Sequence, residues 1–230
     1  MLVMRRPVMA ATFALVACFA HADPIELYPP GGQTATLSAV KDTRLQSHTP
    51  WLNDGHSILS TYMKEHNLQD TLIQFDLGAV PSGEPIIQAT LRLYGMPWEQ
   101  AADTETHLYR VTGPWEEYEA AWNFASFGRD WTNPGGDFVG RSGQQASDPY
   151  ASLSGPSVMG WYEWDATAIV REWQSGLSPN HGFALAGPMS NRLVYVSREG
   201  RFEIGGYESN RPELVVRYGA VPEPTTLVMV

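Results

Sequence analysis

The chain has 230 residues, with 15 lysines and arginines against 25 aspartates and glutamates, so its formal net charge is −10. This acidic balance argues against nucleic acid and anionic membranes as partners, because both are bound through basic patches. Cys18 is the only cysteine, so disulfide bonds are excluded as a source of stability within the chain.

Residues 1–22 have the three regions of a secretory signal peptide. Arg5 and Arg6 form a basic start, an apolar run covers 8–20, and Ala20-His21-Ala22 is a small-x-small cleavage site. The apolar run is shorter than the roughly 20 residues of a membrane-spanning helix. We therefore predict a cleaved signal and an extracellular or cell-surface location.

An alternative processing route lies within the same segment. Leu15-Val16-Ala17-Cys18 resembles a bacterial lipobox, in which Cys18 would be lipidated and become the mature N-terminus. The other interpretation treats Cys18 as an ordinary apolar residue of the signal. We favour the second interpretation because the Ala-x-Ala site follows Cys18.

Residues 23–220 are predicted to form one domain of short strands. The segment 87–93 alternates apolar and polar residues strictly, which places Ala89, Leu91 and Leu93 on an inward face. The absence of alternating strands and helices indicates an all-β, jelly-roll-type antiparallel β-sandwich. Nine strands are predicted, over 34–40, 57–62, 72–77, 87–93, 106–111, 159–164, 182–186, 192–198 and 213–218.

One short helix interrupts the strands. Asp165 is a suitable cap, Ile169 and Trp173 share one face, and Gly176 ends the helix. We expect it to cover one open end of the sandwich. The segment 113–155 is rich in Gly, Ser, Asp and Trp, and is interpreted as loops with one short strand near 138–139.

The last ten residues, 221–230, contain Val221-Pro222-Glu223-Pro224 followed by two threonines and apolar residues. This segment resembles the start of a PEP-CTERM sorting signal. In that family the Pro-Glu-Pro motif precedes a membrane-spanning helix and a basic tail, and a membrane peptidase processes it during export from polysaccharide-producing bacteria. We predict a partial PEP-CTERM-like tail, with export and sorting machinery as partners. The alternative is a disordered tail, since Pro222 and Pro224 do not support regular strand pairing.

A series of short motifs extends in order over nearly the whole segment 23–220. They are Asp42-Thr43, Gly55, Gln74-Phe75-Asp76-Leu77, Ala89 to Tyr94, Tyr109 to Thr112 with Trp115, Trp122-Asn123, Trp164 to Thr167 with Trp173, Asn180-His181-Gly182, Ser197-Arg198-Glu199 and Asn210 to Leu214. Their succession resembles the DNRLRE-domain family, which is similar to the family 96 carbohydrate-binding modules. The resemblance implies a secreted bacterial β-sandwich that binds alginate-like acidic polysaccharide. The chain departs from the family pattern at Trp51-Leu52-Asn53.

Loop aromatics beside arginines are what binding of an acidic sugar requires, because rings stack on sugar faces and guanidinium groups pair with carboxylates. Trp51 and Trp131 are the preferred surface tryptophans, with Trp98 as a further loop candidate. Trp115, Trp122, Trp164 and Trp173 are expected in the core, since they belong to the framework motifs. The candidate cations are Arg44, Arg129, Arg198 and Arg201.

Two further expectations concern charged groups. Asp42, Asn53, Asp54 and Asp76 are hard oxygen donors beside loops, so they form a candidate calcium site, with ordinary turn chemistry as the alternative. Arg198 and Glu199 are adjacent opposite charges at a strand end, and Arg211 is the predicted ion-pair partner of Glu199.

Catalysis is not expected. The sequence contains no Gly-x-Ser-x-Gly elbow, no His-Glu-x-x-His motif and no phosphate-binding glycine loop. Carboxylates such as Glu117, Asp165 and Glu199 form pairs that a glycosidase could use, and a lyase needs still fewer marker residues. The sequence therefore favours a non-catalytic carbohydrate-binding module, with a structural matrix protein and a polysaccharide lyase or glycosidase as alternatives.

Overall fold

Antiparallel strands dominate a computed structural model of the chain, which describes residues 32–64, 66–97, 105–154, 158–187, 192–202 and 205–219. The predicted signal peptide with Cys18, the loop residue Trp98 and the predicted tail 221–230 lie outside these residues. The strands are β1 (Gln33–Gln46), β2 (Leu59–Lys64), β3 (Asn67–Phe75), β4 (Ile86–Pro97), β5 (Glu105–Val111), β6 (Phe124–Ser126), β7 (Arg129–Asp130), β8 (Phe138–Val139), β9 (Ala151–Ser154), β10 (Gly160–Asp165), β11 (Phe183–Ala186), β12 (Leu193–Tyr195), β13 (Arg201–Phe202), β14 (Gly205–Gly206) and β15 (Glu213–Tyr218).

The strands form two layers that share β1 and β2. Strand β1 pairs with β15 over its first half and with β3 over its second half, and its register shifts between Ala39 and Lys41. A bulge of this kind bends a strand, so β1 can pass from one sheet to the other. The first layer contains β15, β4, β10 and β12, and the second contains β3, β11, β5, β8 and β9. The predicted all-β sandwich is confirmed.

The main core lies between the two layers. Strand alternation supplies it: Leu91 and Leu93 of β4 face Ile73 and Phe75 of β3, and all four side chains are fully buried in one cluster. The predicted inward positions of Ala89, Leu91 and Leu93 are confirmed. Because these residues face inward, the residues that alternate with them along each strand lie on the outer faces of the layers.

A second apolar cluster covers the outer face of the β3–β11–β5 layer. Leu72 and Tyr109 point to this face, since they alternate with core residues along their strands. The long segment between β5 and β9 folds over them and adds Trp115, Trp131 and Phe138. The predicted loop region therefore has a core of its own, and its predicted short strand is β8.

The helix α1 (Thr167–Gln174) packs beside β4 at one end of the sandwich. Asp165 lies one residue before the N-cap position, and its Oδ1 accepts the Thr167 N–H at 2.9 Å. Ile169 and Trp173 are buried as predicted, and Gly176 follows the helix with a φ of 73°. Among the described residues, no helix has the length and apolar character needed to cross a membrane.

Candidate functional site

Three loops meet at one end of the sandwich. The Asn123 N–H donates to the Pro50 carbonyl at 3.2 Å, and Asn53 Nδ2 donates to the carbonyls of Glu117 and Ala120 at 2.8 and 2.7 Å. These bonds join segments more than 60 residues apart in the chain. The surface is called the loop end below, and it consists of residues 47–58, 112–131 and 197–201.

Gly55 makes the close approach of two of these loops possible. A Cβ at this position would lie 2.1 Å from the Glu117 carbonyl oxygen and 2.8 Å from its carbonyl carbon. The Asn53 side chain holds the turn, because its Oδ1 accepts the Gly55 N–H at 3.1 Å. The contact is with backbone atoms, so a larger residue would have to push the loops apart.

A Gly55→Ala substitution is therefore expected to lower the free energy of unfolding by about 1–3 kcal/mol. Chemical denaturation of the variant and the parent protein measures this loss. Gly113→Ala is the matched control, since a Cβ there meets no atom within 4 Å. Equal stability of the two variants would contradict the close packing of the loops.

A cluster of three carboxylates lies at the base of the loop end. Asp42 from β1, Glu117 from the long loop and Glu199 from the turn after β12 each place an oxygen within 4.8 Å of the other two. Asp42 and Glu117 are buried, with 1% and 6% of their surface exposed. These three residues are called the carboxylate cluster below.

Arg198 connects the members of the carboxylate cluster. Its guanidinium donates to both carboxylate oxygens of Glu117 through Nε and Nη2, and its backbone N–H donates to Asp42 Oδ2 at 2.6 Å. Nε also lies 3.1 Å from Glu199 Oε1. Glu199 is thus paired with the neighbouring arginine, while the predicted partner Arg211 is exposed, so that pairing prediction is wrong.

Burial is the main influence on the ionisation of Asp42. It raises the pKa of Asp42 well above its usual range, with the charges of Glu199 and Glu117 adding to the effect and the Arg198 backbone N–H opposing it. The hydrogen bond to Glu117 raises the pKa of Arg198. Arg198 therefore stays charged, and Asp42 is the member whose negative charge is least compensated.

A row of three aromatic rings belongs to the loop end. Trp51 and Phe127 expose 71% and 75% of their surface, and Phe124 lies between them. The ring centroids are 5.9 and 6.3 Å apart, and the successive planes differ by 29° and 34°. Trp51, Phe124 and Phe127 thus form a run of three neighbouring rings, called the aromatic strip below.

A second ring pair stands at the same end. His56 and Tyr118 are both exposed and stack with centroids 4.2 Å apart. The Tyr118 hydroxyl accepts from Arg198 Nη2, so this ring pair is tied to the carboxylate cluster below it. Ring surfaces and charged groups thus occupy one face of the molecule.

The two preferred tryptophans lie in different environments. Trp51 is exposed on the aromatic strip, in agreement with its predicted surface position. Trp131 is only 6% exposed, and its Nε1 donates to the Ala121 carbonyl at 2.9 Å inside the second apolar cluster. The predicted surface position of Trp131 is wrong, because the long loop folds back on the sheet and buries it. Trp115, Trp164 and Trp173 are buried and Trp122 is partly buried, as predicted.

The four predicted arginines lie at or beside the loop end. Arg129 and Arg201 are exposed, and Arg129 also donates to a backbone carbonyl of the long loop. Arg198 is engaged with the carboxylate cluster. Arg44 is buried and lies 3.5 Å from Asp54, so its position indicates a structural ion pair. Arg129 and Arg201 remain the arginines best placed to meet a ligand.

The four predicted calcium ligands do not share one site. Asn53 is committed to the loop contacts, and Asp54 accepts from Gln46 and pairs with Arg44. Asp76 is exposed, and its Oδ1 accepts a backbone N–H in the turn after β3. Asp42 instead lies with Glu117, which the sequence suggested as a catalytic carboxylate, and with Glu199, which it suggested as a catalytic carboxylate or an ion-pair partner. Their separation in the chain gave no signal that they meet.

A cavity of about 370 Å³ opens on the outer face of the β3–β11–β5 layer. Asp70, His107, Tyr109 and Trp122 line it, together with apolar residues. Burial of the Asp70 carboxyl raises its pKa to about 8. Asp70 shares one face of β3 with Leu68 and Leu72, and this position gave no signal of a functional carboxyl.

The family model described as "Disaggregatase related repeat domain" matches residues 37–201, well over half of the chain. No curated protein matches the chain. The matched segment includes the carboxylate cluster, the aromatic strip and the cavity.

Proposed function

The chain belongs to the family of disaggregatase related repeat domains, and we propose that it is a secreted, non-catalytic module that binds an acidic polysaccharide through its loop end. The aromatic strip carries this proposal. Rings stack on the apolar faces of sugars, and exposed apolar surfaces of this kind mark interaction sites. Three rings in a row suit an extended chain of sugars.

Arginines beside the strip favour an acidic sugar. Arg129 lies on the β6–β7 hairpin that also carries Phe124 and Phe127, and Ser126 pairs with it across the turn. A guanidinium has five N–H donors, so the bond from Arg129 to a backbone carbonyl leaves donors for a uronate carboxylate. Arg201 adds a second exposed guanidinium beside the loop end.

The arrangement of carboxylates supports a non-catalytic role. A glycosidase uses two carboxyl groups that flank an open cleft on either side of the scissile bond. Of the three close carboxylates, Asp42 and Glu117 are buried, and both oxygens of Glu117 are bonded to Arg198. That arrangement favours a structural role for these carboxylates over proton transfer to a sugar.

The extracellular location is proposed from the sequence. The predicted signal peptide over 1–22 and the resemblance of the strand motifs to carbohydrate-binding modules of exported bacterial proteins both support it. An exported module of this kind would meet polysaccharide of the cell surface or biofilm matrix. Nucleic acid is not proposed as a partner, because the chain is acidic.

Affinity electrophoresis of the full chain through gels that contain alginate, pectate, xylan or cellulose tests the proposal. We expect retardation in the two acidic gels, and about fivefold weaker binding for Trp51→Ala, because loss of one stacked ring removes roughly 1 kcal/mol. Leu177→Ala is the matched control, since Leu177 is 78% exposed and lies outside the loop end.

Other results of this experiment would contradict parts of the proposal. Retardation that Trp51→Ala leaves unchanged would contradict the role of the aromatic strip. Release of unsaturated uronate or new reducing ends from the polymers would show a lyase or glycosidase. No retardation in any gel would overturn binding of these polymers and favour a structural matrix protein.

A further inference from the structure

Buried carboxylate oxygens in the carboxylate cluster have no hydrogen-bond donor among the described residues. These oxygens are Asp42 Oδ1 and both carboxylate oxygens of Glu199, although Glu199 Oε1 is at ion-pair distance from Arg198. Asp42 as a whole is 1% exposed. An ionised oxygen that is buried without a donor costs free energy, so buried carboxylates are normally paired or bound to metal.

The charges of the cluster do not balance within it. Three carboxylates face the single guanidinium of Arg198, which is already directed at Glu117 and Glu199. Asp42 Oδ2 receives only a backbone N–H at 2.6 Å. The negative charge next to Asp42 and Glu199 is therefore not fully compensated within the cluster.

The spacing of the oxygens matches a calcium ion. Ca²⁺ binds oxygen ligands at about 2.3–2.6 Å, so two ligands on opposite sides of one ion are about 5 Å apart. The three carboxylates place oxygens within 4.8 Å of one another. Carboxylate oxygens are the ligands of calcium and magnesium, whereas zinc sites favour histidine and cysteine, which this cluster lacks.

We propose that Asp42, Glu117 and Glu199 bind one Ca²⁺ ion that fastens the loop end. Asp42 Oδ1 and the Glu199 oxygens supply the free lone pairs. Glu117 can add a lone pair while it keeps its bonds to Arg198, because a carboxylate has about four acceptor sites. The ion joins β1, the long loop and the turn after β12, which lie 75 and more residues apart in the chain.

Calcium binding at the carboxylate cluster does not depend on sugar binding. A calcium-fastened loop end would hold Tyr118 and the turn of Arg198 in place whatever the surface binds. Loss of polysaccharide retardation with calcium binding retained would reject the proposed function alone. The reverse result would reject the calcium site alone.

Calcium titration of the full, chelator-treated chain tests the site directly. We expect calorimetry to detect one Ca²⁺ per chain, and Tb³⁺ to bind competitively with luminescence sensitised by nearby rings such as Tyr118. At about 100-fold excess of Ca²⁺ over its Kd, the melting temperature should rise by roughly 5–10 °C, because the ion binds only the folded state. Magnesium should give a smaller shift.

Asp42→Asn and Glu199→Gln should each weaken calcium binding at least tenfold. Glu163→Gln is the matched control, since the exposed Glu163 pairs with Arg92 on another face and should leave binding unchanged. If a cluster variant fails to fold, the parent titration with calcium and terbium still decides. Absence of calcium binding by the parent chain, or a single site that persists in folded Asp42→Asn, would overturn the proposal.

Discussion

Replacement of Glu117 by alanine is expected to lower the free energy of unfolding by roughly 3 kcal/mol, because it removes a buried acceptor of three hydrogen bonds, two of them from a guanidinium. Glu117 is 6% exposed and accepts from Arg198 Nε, Arg198 Nη2 and the Asp42 N–H. Arg198 keeps some solvent access, which places the loss near the lower end for buried pairs. Urea denaturation in the presence of chelator measures the effect apart from any bound ion.

The neighbouring residue supplies the control for this experiment. Glu116 also pairs with a cation, Lys41 at 3.1 Å, but its side chain is 56% exposed. Exposed pairs contribute between about 0 and 1 kcal/mol, so Glu116→Ala should change stability very little. Similar losses for the two variants would show that the Glu117 pair contributes no more than a surface ion pair.

The strands were predictable because each buries one face. In β4, Leu91 and Leu93 alternate with polar residues, and this two-residue period is visible in the sequence without knowledge of any partner strand. Each of the nine predicted strands overlaps an observed one. The length of β1 was underestimated, because its second half changes sheet at the bulge and alternation does not predict such a change.

In the long loop, the local sequence pattern did not predict which tryptophan is buried. Trp131 has no strand or helix period around it, so its burial depends on the fold of the whole segment over the outer face of β3, β11 and β5. Trp51 was correctly predicted at the surface. Loop composition alone predicts a surface position for both tryptophans, and tertiary contacts bury Trp131 but leave Trp51 exposed.

The carboxylate cluster was also hidden from the sequence. Asp42, Glu117 and Glu199 belong to a strand, a loop and a turn, and only the sandwich topology brings them within 4.8 Å. The predicted oxygen donors near Asp42 in sequence, Asn53 and Asp54, instead hold the loop through side-chain hydrogen bonds. Proximity in sequence was a poor guide to which carboxylates meet.

A second large effect is expected at Asp70, on the pH dependence of the free energy of unfolding. Burial raises the pKa of its carboxyl to about 8 in the folded protein, against about 3.9 for an unfolded chain. Below about pH 4 both states bind the proton, and above about pH 8 both have lost it. Between these values the folded state alone keeps the proton, so Asp70 lowers stability as the pH rises through this window.

Asp70→Asn should remove this term, since the amide has nearly the same shape and does not titrate. The variant should match the parent near pH 4 and gain stability over it up to about pH 8, with a slope approaching 1.4 kcal/mol per pH unit. Asp76→Asn is the matched control, because it makes the same chemical change at an exposed position in the turn after β3. Denaturation curves of the three proteins across the window measure the difference, and parallel curves for parent and Asp70→Asn would contradict a partly buried carboxyl that keeps its proton in the cavity.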